Sequence, residues 1–341
     1  MKQLLLYSLT VINFISCQKP KSVEQKADTN FTHQIISNGK PWTHQEFDNE
    51  KFSFAIFGDL TGGERAGVFD VAISQLNILR PDFIINVGDL IEGDHKSLAE
   101  LESQFDNFDF RVKKAKAPVF YIGGNHDLTS AEMQNVWDKR YGKRYYHFIY
   151  KNALFLVLDS EDNTPKRTAE ILELRNIAIS RAKREGWGSF PETEYAQIPE
   201  QVGGNISKEQ ADYFVEVIKK YPSVTHTFLF VHKAPWKIDN PGFLAMENAL
   251  EGKDYTVFNG HVHAYEYEQR LGKDYIRLAT TGGVQFPEKG LSADHVTWVT
   301  VDENGVDVAN LLLQGILNKK GVIPNGGDTL NFEKKIGSET F

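Results

Sequence analysis

A chain of 341 residues, with 41% apolar and 25% charged residues, can bury one large core or two modest ones. Its formal net charge of -8 argues against a general nucleic-acid binder, and no nucleic-acid-binding surface is evident. The same charge leaves phosphate substrates open, because a metal ion can supply positive charge locally.

The chain begins with Lys2 and an apolar stretch from Leu4 to Ile15, too short to span a bilayer and suited to the core of an export signal. Cys17, the single cysteine, follows "FIS" directly. Residues 1–17 resemble a bacterial lipoprotein signal, which implies an exported protein lipid-anchored through Cys17 in the cell envelope, in a leaflet left open. A plain secretory signal with an incidental cysteine is the alternative. Residues 18–49 are polar, without a sustained apolar period, and read as a flexible tether.

From residue 50 to 315 the pattern is that of one folded domain. Apolar runs at 52–57, 82–87, 118–122, 153–158, 227–231, 255–258 and 275–279 suit strands covered on both faces. Between them, Phe69, Ala72, Ile73, Leu76 and Leu79 recur at helical spacing until Pro81 stops the segment. Ser207 opens a capping-box pattern, "SKEQ", ahead of Phe214, Val217, Ile218 and Tyr221. Strands alternating with helices predict an α/β layered domain. The stretch 296–313 reads as a hairpin turning at "ENG", and 316–341 as a C-terminal extension.

Residues 161–205 interrupt the alternation. Ile171, Leu174, Ala178 and Ala182 predict a helix, with Lys166, Arg167, Arg175, Arg181, Lys183 and Arg184 making it basic. This is either a solvated helical insertion or a lid that attracts an anionic substrate.

The strand ends carry the chemistry. "GDLTGG" places Asp59 after one strand and "GDLIEGD" places Asp89 after the next. "GGNHD" follows with Asn125 and His126, "HKAPW" with His232, and "NGHVHAYE" with His261 and His263. Ligands collect beyond the carboxyl ends of strands in α/β sheets, so these termini can converge. Carboxylate, amide oxygen and imidazole suit borderline and hard divalent ions. Trp236, Tyr265 and Tyr267 could stack on a substrate ring or simply anchor loops.

The ordered set "GDL…GDL…GGNHD…VH…GHVH" resembles the calcineurin-like metallophosphoesterase superfamily over residues 52 to about 285. The resemblance implies a four-layer α/β/β/α β-sandwich flanked by helices, and a centre of two divalent ions (Mn, Fe or Zn). Asp89 would bridge the ions; Asp59 and His263 would hold one, and Asn125, His232 and His261 the other. His126 would face the substrate and protonate the leaving oxygen. A metal-bridging hydroxide would then hydrolyse a phosphomonoester or phosphodiester.

Two positions depart from common family patterns. Thr61 stands where many members have a metal-binding histidine, which implies a weaker first site. Glu92 stands where protein phosphatases of the superfamily have an aspartate paired with the catalytic histidine, so it could orient His126 or be a plain loop carboxylate. Gly93 replaces their phosphate-gripping arginine, which disfavours a protein phosphatase. A binding protein that has lost turnover on the same scaffold is the competing reading. A serine or cysteine nucleophile has little support, since the sole cysteine lies in the signal and no Gly-x-Ser-x-Gly elbow occurs.

Overall fold

The computed structural model describes residues 31–34, 51–313 and 315–320; the expected signal segment and most of the tether lie outside them. In chain order the strands are β1 (Phe31–Gln34), β2 (Phe52–Phe57), β3 (Phe83–Asn86), β4 (Val119–Phe120), β5 (Tyr146–Tyr150), β6 (Ala153–Val157), β7 (His226–Phe230), β8 (Tyr255–Asn259), β9 (Glu266–Arg270), β10 (Lys273–Arg277), β11 (His295–Asp302), β12 (Gly305–Leu312) and β13 (Gly315–Asn318). The helices are α1 (Val68–Leu79), α2 (Leu98–Val112), α3 (Asn125–Leu128), α4 (Ala131–Arg140), α5 (Pro165–Glu185), α6 (Glu194–Gln197), α7 (Pro199–Val202), α8 (Lys208–Lys220) and α9 (Pro241–Ala249).

The strands form two sheets, a seven-stranded one in the order β1-β5-β6-β7-β8-β10-β9 and a six-stranded one in the order β13-β12-β11-β2-β3-β4. Strand alternation explains how they stack. On β2, Phe52, Phe54 and Ile56 enter the core between the sheets, while Ala55 and Phe57 join Phe69, Leu101 and Phe105 of α1 and α2. On β7, Phe228 and Phe230 face inward, and Leu229 packs with Phe214 of α8 and Met246 of α9. Both faces of each sheet are therefore apolar, as the continuous runs predicted, and the layers are α/β/β/α. Phenylalanines dominate the central layer; Phe54 meets Phe155 of the facing sheet edge-on at 5.4 Å. Each such buried ring contributes roughly 1.5–3 kcal/mol relative to exposure.

The helix signals act locally as expected, with one exception. α1 ends where Arg80 takes a left-handed conformation (φ 55°) ahead of Pro81. Ser207 caps α8 by accepting from the Gln210 backbone N–H, yet Gln210 does not return the bond. Its buried amide instead spans to the backbone of Asp159.

Three differences from the sequence reading stand out. Strand β1 lies inside the expected tether and pairs antiparallel with β5. Strand β13 carries the six-stranded sheet into the expected C-terminal extension. β5 itself escaped the apolar-run criterion, because its tyrosines bury their rings while their hydroxyls bond Asp82 and the Tyr121 carbonyl. Among the described residues, no helix is long and apolar enough to cross a membrane.

Candidate metal centre

β2 and β3 run parallel in one sheet, and β7 and β8 run parallel in the other. Their carboxyl ends open on the same side of the sandwich, and the loops beyond them carry the polar clusters. Four candidate ligands adopt left-handed backbone: Asp59 (φ 51°), Asp89 (φ 57°), His261 (φ 78°) and His263 (φ 58°). Non-glycine residues rarely do so, and such strain persists where the surroundings over-determine it. The glycines beside them make room. A Cβ on Gly124 would stand 2.2 Å from Asp89 Oδ1, and one on Gly260 would stand 2.3 Å from Asp59 Oδ2.

The side chains fall into two groups that share Asp89: Asp89 with His232 and His261, and Asp59 with Asp89 and His263. Within each group the donor atoms lie within 4.8 Å of one another. Asn125 belongs with the first, its Oδ1 lying 3.1 Å from His232 Nε2. His232 Nε2 is also 3.1 Å from Asp89 Oδ2, and His263 Nε2 is 3.4 Å from Asp59 Oδ1.

Each imidazole is fixed from behind by a main-chain carbonyl. His232 Nδ1 donates to Val87 at 2.8 Å and His263 Nδ1 to Val284 at 2.6 Å, which turns both Nε2 atoms to the centre. His261 is reversed: its Nε2 donates to Gln201 at 2.8 Å and its Nδ1 remains for a ligand. Such outer bonds select the tautomer a metal needs.

Electrostatics reflect a buried cluster of mixed charge. Burial opposes the charge on Asp89, yet His232 and His126 beside it hold its carboxyl well below the usual range. Burial likewise disfavours protonated His232, but Asp89 holds that ring up at about 9. His263 is raised in the same way against burial by Asp59, whereas burial and then Lys233 push His261 well below its ordinary value. Asp59 Oδ2 is buried with no hydrogen-bond partner. An orphaned carboxylate oxygen beside outward-fixed imidazoles fits a bound divalent cation, as does a donor set of oxygen and imidazole nitrogen.

The family model for calcineurin-like phosphoesterases matches residues 52–309. The chain belongs to that family. Among solved structures, a dimetal phosphatase from Danio rerio is 14% identical, with the match covering 79% of this chain and 99% of that one at a TM-score of 0.53. PhoD is 13% identical, covering 82% and 73% respectively at a TM-score of 0.51. At these identities the likeness concerns the fold, and it agrees with the four-layer sandwich. No curated protein sequence matches the chain.

In this phosphoesterase His126 stands apart from the ligand groups and is half-buried. Its backbone N–H donates to Asp89 Oδ1 at 2.9 Å, and its ring Nδ1 donates to the Glu92 carbonyl at 2.6 Å. Nε2 is thereby left for a reactant, on the side where Gly62 approaches both His126 and His263. The Glu92 carboxylate is occupied elsewhere, accepting from the backbone N–H groups of Gly62, Gly63 and Glu64 at 2.8 to 3.3 Å. Residue 92 thus orients His126, but through its main chain. Thr61 is also a tie: its hydroxyl donates to the Ile91 carbonyl at 2.7 Å, joining the first two metal loops. Asp127 holds the third loop to the second, accepting from the N–H groups of Leu90, Ile91 and Gly124.

The insertion of residues 161–205 packs onto the phosphoesterase centre and supplies the Gln201 carbonyl behind His261. Its basic side chains are neutralised: Arg167 pairs with Glu200, Arg175 and Lys183 with Asp94, and Arg181 and Arg184 with Glu185. That favours a fixed structural insertion over an anion-attracting one. Trp236 and Tyr267 are anchors, their polar atoms bonded to Glu268 and Asp274, and Tyr265 lies in the inter-sheet core.

Sequence reasoning missed the carbonyls of Val87, Glu92, Gln201 and Val284. A main-chain acceptor leaves no signature in residue type, so only the folded chain could identify them.

Proposed function

We propose that this phosphoesterase hydrolyses a phosphomonoester or phosphodiester at a centre of two divalent ions, one held by Asp59, Asp89 and His263 and the other by Asp89, Asn125, His232 and His261. The observation that carries the reading is the sharing of Asp89 between two compact ligand groups. Two cations there (Mn, Fe or Zn) would supply positive charge to the phosphoryl oxygens and acidify a water into a nucleophile at neutral pH.

The chain's own residues do the rest. Asp89 presents two carboxylate oxygens from a backbone held rigid by Gly88, Gly124 and Asp127. His126 gives its Nε2 proton to the departing oxygen, its ring kept in line by the Glu92 carbonyl. The supporting carbonyls hold every imidazole before substrate arrives, so little reorganisation is needed.

The sequence of residues 1–17 supports a lipid-anchored protein of the bacterial cell envelope, with Cys17 as the anchor. Substrates at that surface, such as lipid headgroups, envelope polymers or soluble esters, then become accessible.

The test is hydrolysis by metal-stripped protein lacking residues 1–17, with Mn²⁺, Fe²⁺, Zn²⁺ or Mg²⁺ restored singly, on matched mono-aryl and bis-aryl phosphates. Metal-dependent cleavage that falls by at least about 10²-fold in His126→Ala is expected. Absence of cleavage with metal demonstrably bound would favour a scaffold that binds without turnover.

A further inference from the structure

The end of the sandwich away from the metals carries a surface that the centre does not use. β2, β3 and β4 run parallel, and the candidate ligands Asp59, Asp89 and Asn125 follow their carboxyl ends. The residues that precede these strands therefore lie at the opposite end. Hydrogen bonds tie them together there. The Ser53 N–H donates to Asp82 at 2.8 Å, and the Ile84 N–H donates to the Pro118 carbonyl at 2.8 Å. Asn77, in the last turn of α1, donates to the Lys114 carbonyl at 2.8 Å and accepts from the Lys116 N–H at 2.7 Å.

These bonds hold the ends of α1 and α2 side by side, and both present large apolar side chains to solvent. Ile78 and Leu79 close α1, and Phe110 lies in the last turn of α2, exposed at 78%, 44% and 68%. Arg80, Lys113 and Lys116 follow in the same two segments. All three are exposed, and none of their cations has an ion-pair or hydrogen-bond partner among the described residues. The nearby carboxylates are committed, Asp70 to Lys114 at 2.7 Å and Asp82 to the Ser53 N–H and the Tyr150 hydroxyl. Lys114 itself lies 5.3 Å over the Phe110 ring. Asp302 and Glu303, at the turn between β11 and β12, lie beyond β2 on the side away from β3.

Uncompensated cations thus gather on one face of a chain whose net charge is -8. Cations alone attract any polyanion, but apolar side chains set among them gain from burial at the headgroup and acyl boundary of an anionic bilayer. The course of the chain agrees. Phe31, where β1 begins, pairs with Tyr150, whose hydroxyl bonds Asp82, so the segment leading from Cys17 enters the fold at this end.

We propose that this surface docks the domain on a bilayer of anionic lipid. Ile78, Leu79 and Phe110 enter the headgroup boundary, and Arg80, Lys113 and Lys116 contact lipid phosphates. The metal centre, at the far end, then faces away from that bilayer.

The chain from residue 18 onward keeps every described residue and lacks the signal, so it reports the surface without an anchor. It is expected to sediment with vesicles of phosphatidylcholine and phosphatidylglycerol in equal parts, far less with phosphatidylcholine alone, and less as salt rises. Lys113→Glu combined with Lys116→Glu should weaken this partition at least about tenfold, and Phe110→Ser about tenfold. Both variants should keep the wild-type thermal midpoint and aryl phosphate hydrolysis. A wild type that ignores anionic vesicles at low salt would overturn the proposal. An equal loss from Lys166→Glu combined with Lys208→Glu, exposed lysines of α5 and α8, would also overturn it by assigning the binding to net charge. Loss with the charge reversal but not with Phe110→Ser would make the surface a polyanion site and remove the bilayer from it. Vesicle binding is read without turnover, so none of these outcomes bears on the hydrolytic reading.

Discussion

The Glu92 carbonyl accepts the Nδ1 hydrogen of His126 at 2.6 Å, while the Glu92 carboxylate turns away to bind the N–H groups of residues 62–64. One residue therefore positions the His126 ring with its main chain and the neighbouring glycine turn with its side chain. The two functions are separable by mutation.

Glu92→Gln is expected to leave the pH dependence of kcat unchanged, because no carboxylate charge touches the His126 ring. Glu92→Ala should cost about 1–3 kcal/mol of stability by leaving several N–H groups without their acceptor. Chemical denaturation and pH–rate profiles check both statements. A displaced pH profile in Glu92→Gln would show that the carboxylate acts on the ring after all.

His126→Ala is expected to lower kcat by about 10²–10⁴-fold while metal content stays at the wild-type level. His126 lies outside both ligand groups, so its loss should remove proton transfer and spare the metals. Elemental analysis beside steady-state rates decides this; metal lost in parallel with activity would make His126 a ligand.

Thr61 commits its hydroxyl to the Ile91 carbonyl, so Asp59, Asp89 and His263 form a site with one side-chain donor fewer than Asp89, Asn125, His232 and His261. Metal titration should show two affinities. His261→Ala should abolish the tighter step and His263→Ala the weaker. Thr61→His supplies an imidazole and should tighten the weaker step. Two equally tight ions in the wild type would contradict the assignment.

His226 and His295 belong to neither ligand group, and burial pushes each down to about 4, which keeps it neutral. His295 also needs its Nε2 lone pair to accept from the Ala279 N–H at 2.9 Å. An unfolded histidine titrates near 6.5, so between about 6.5 and 4 the unfolded chain takes up protons that the folded chain refuses. Stability is whole above about 6.5 and is lost as pH falls toward 4, by on the order of a few kcal/mol for the pair. His295→Gln keeps an acceptor for Ala279 and should flatten that acid limb in denaturation measured across pH. An unchanged limb would assign the proton uptake to other groups.

By itself the sequence determined the layered α/β architecture and the chemistry-bearing residues, and both for local reasons. Continuous apolar runs require strands covered on both faces, and "GD", "GNH" and "GHVH" place acids and imidazoles just beyond strand ends whatever the details of packing. The hairpin turning at "ENG" follows equally from turn chemistry, and β11 and β12 pair around it. Only the tertiary structure decided what each side chain does. Glu92 and Thr61 have the residue types of an ion-pair partner and a poor ligand, yet both became loop ties, because their polar atoms met backbone groups from segments about thirty residues away. His261 points the opposite nitrogen to the centre from His232 and His263, because its acceptor is a carbonyl of the insertion. Basic residues of α5 are silenced by acids as distant as Asp94. Residue type fixes which bonds a side chain can make, and the partner that claims it comes from elsewhere in the chain, so it becomes known only once the chain has folded.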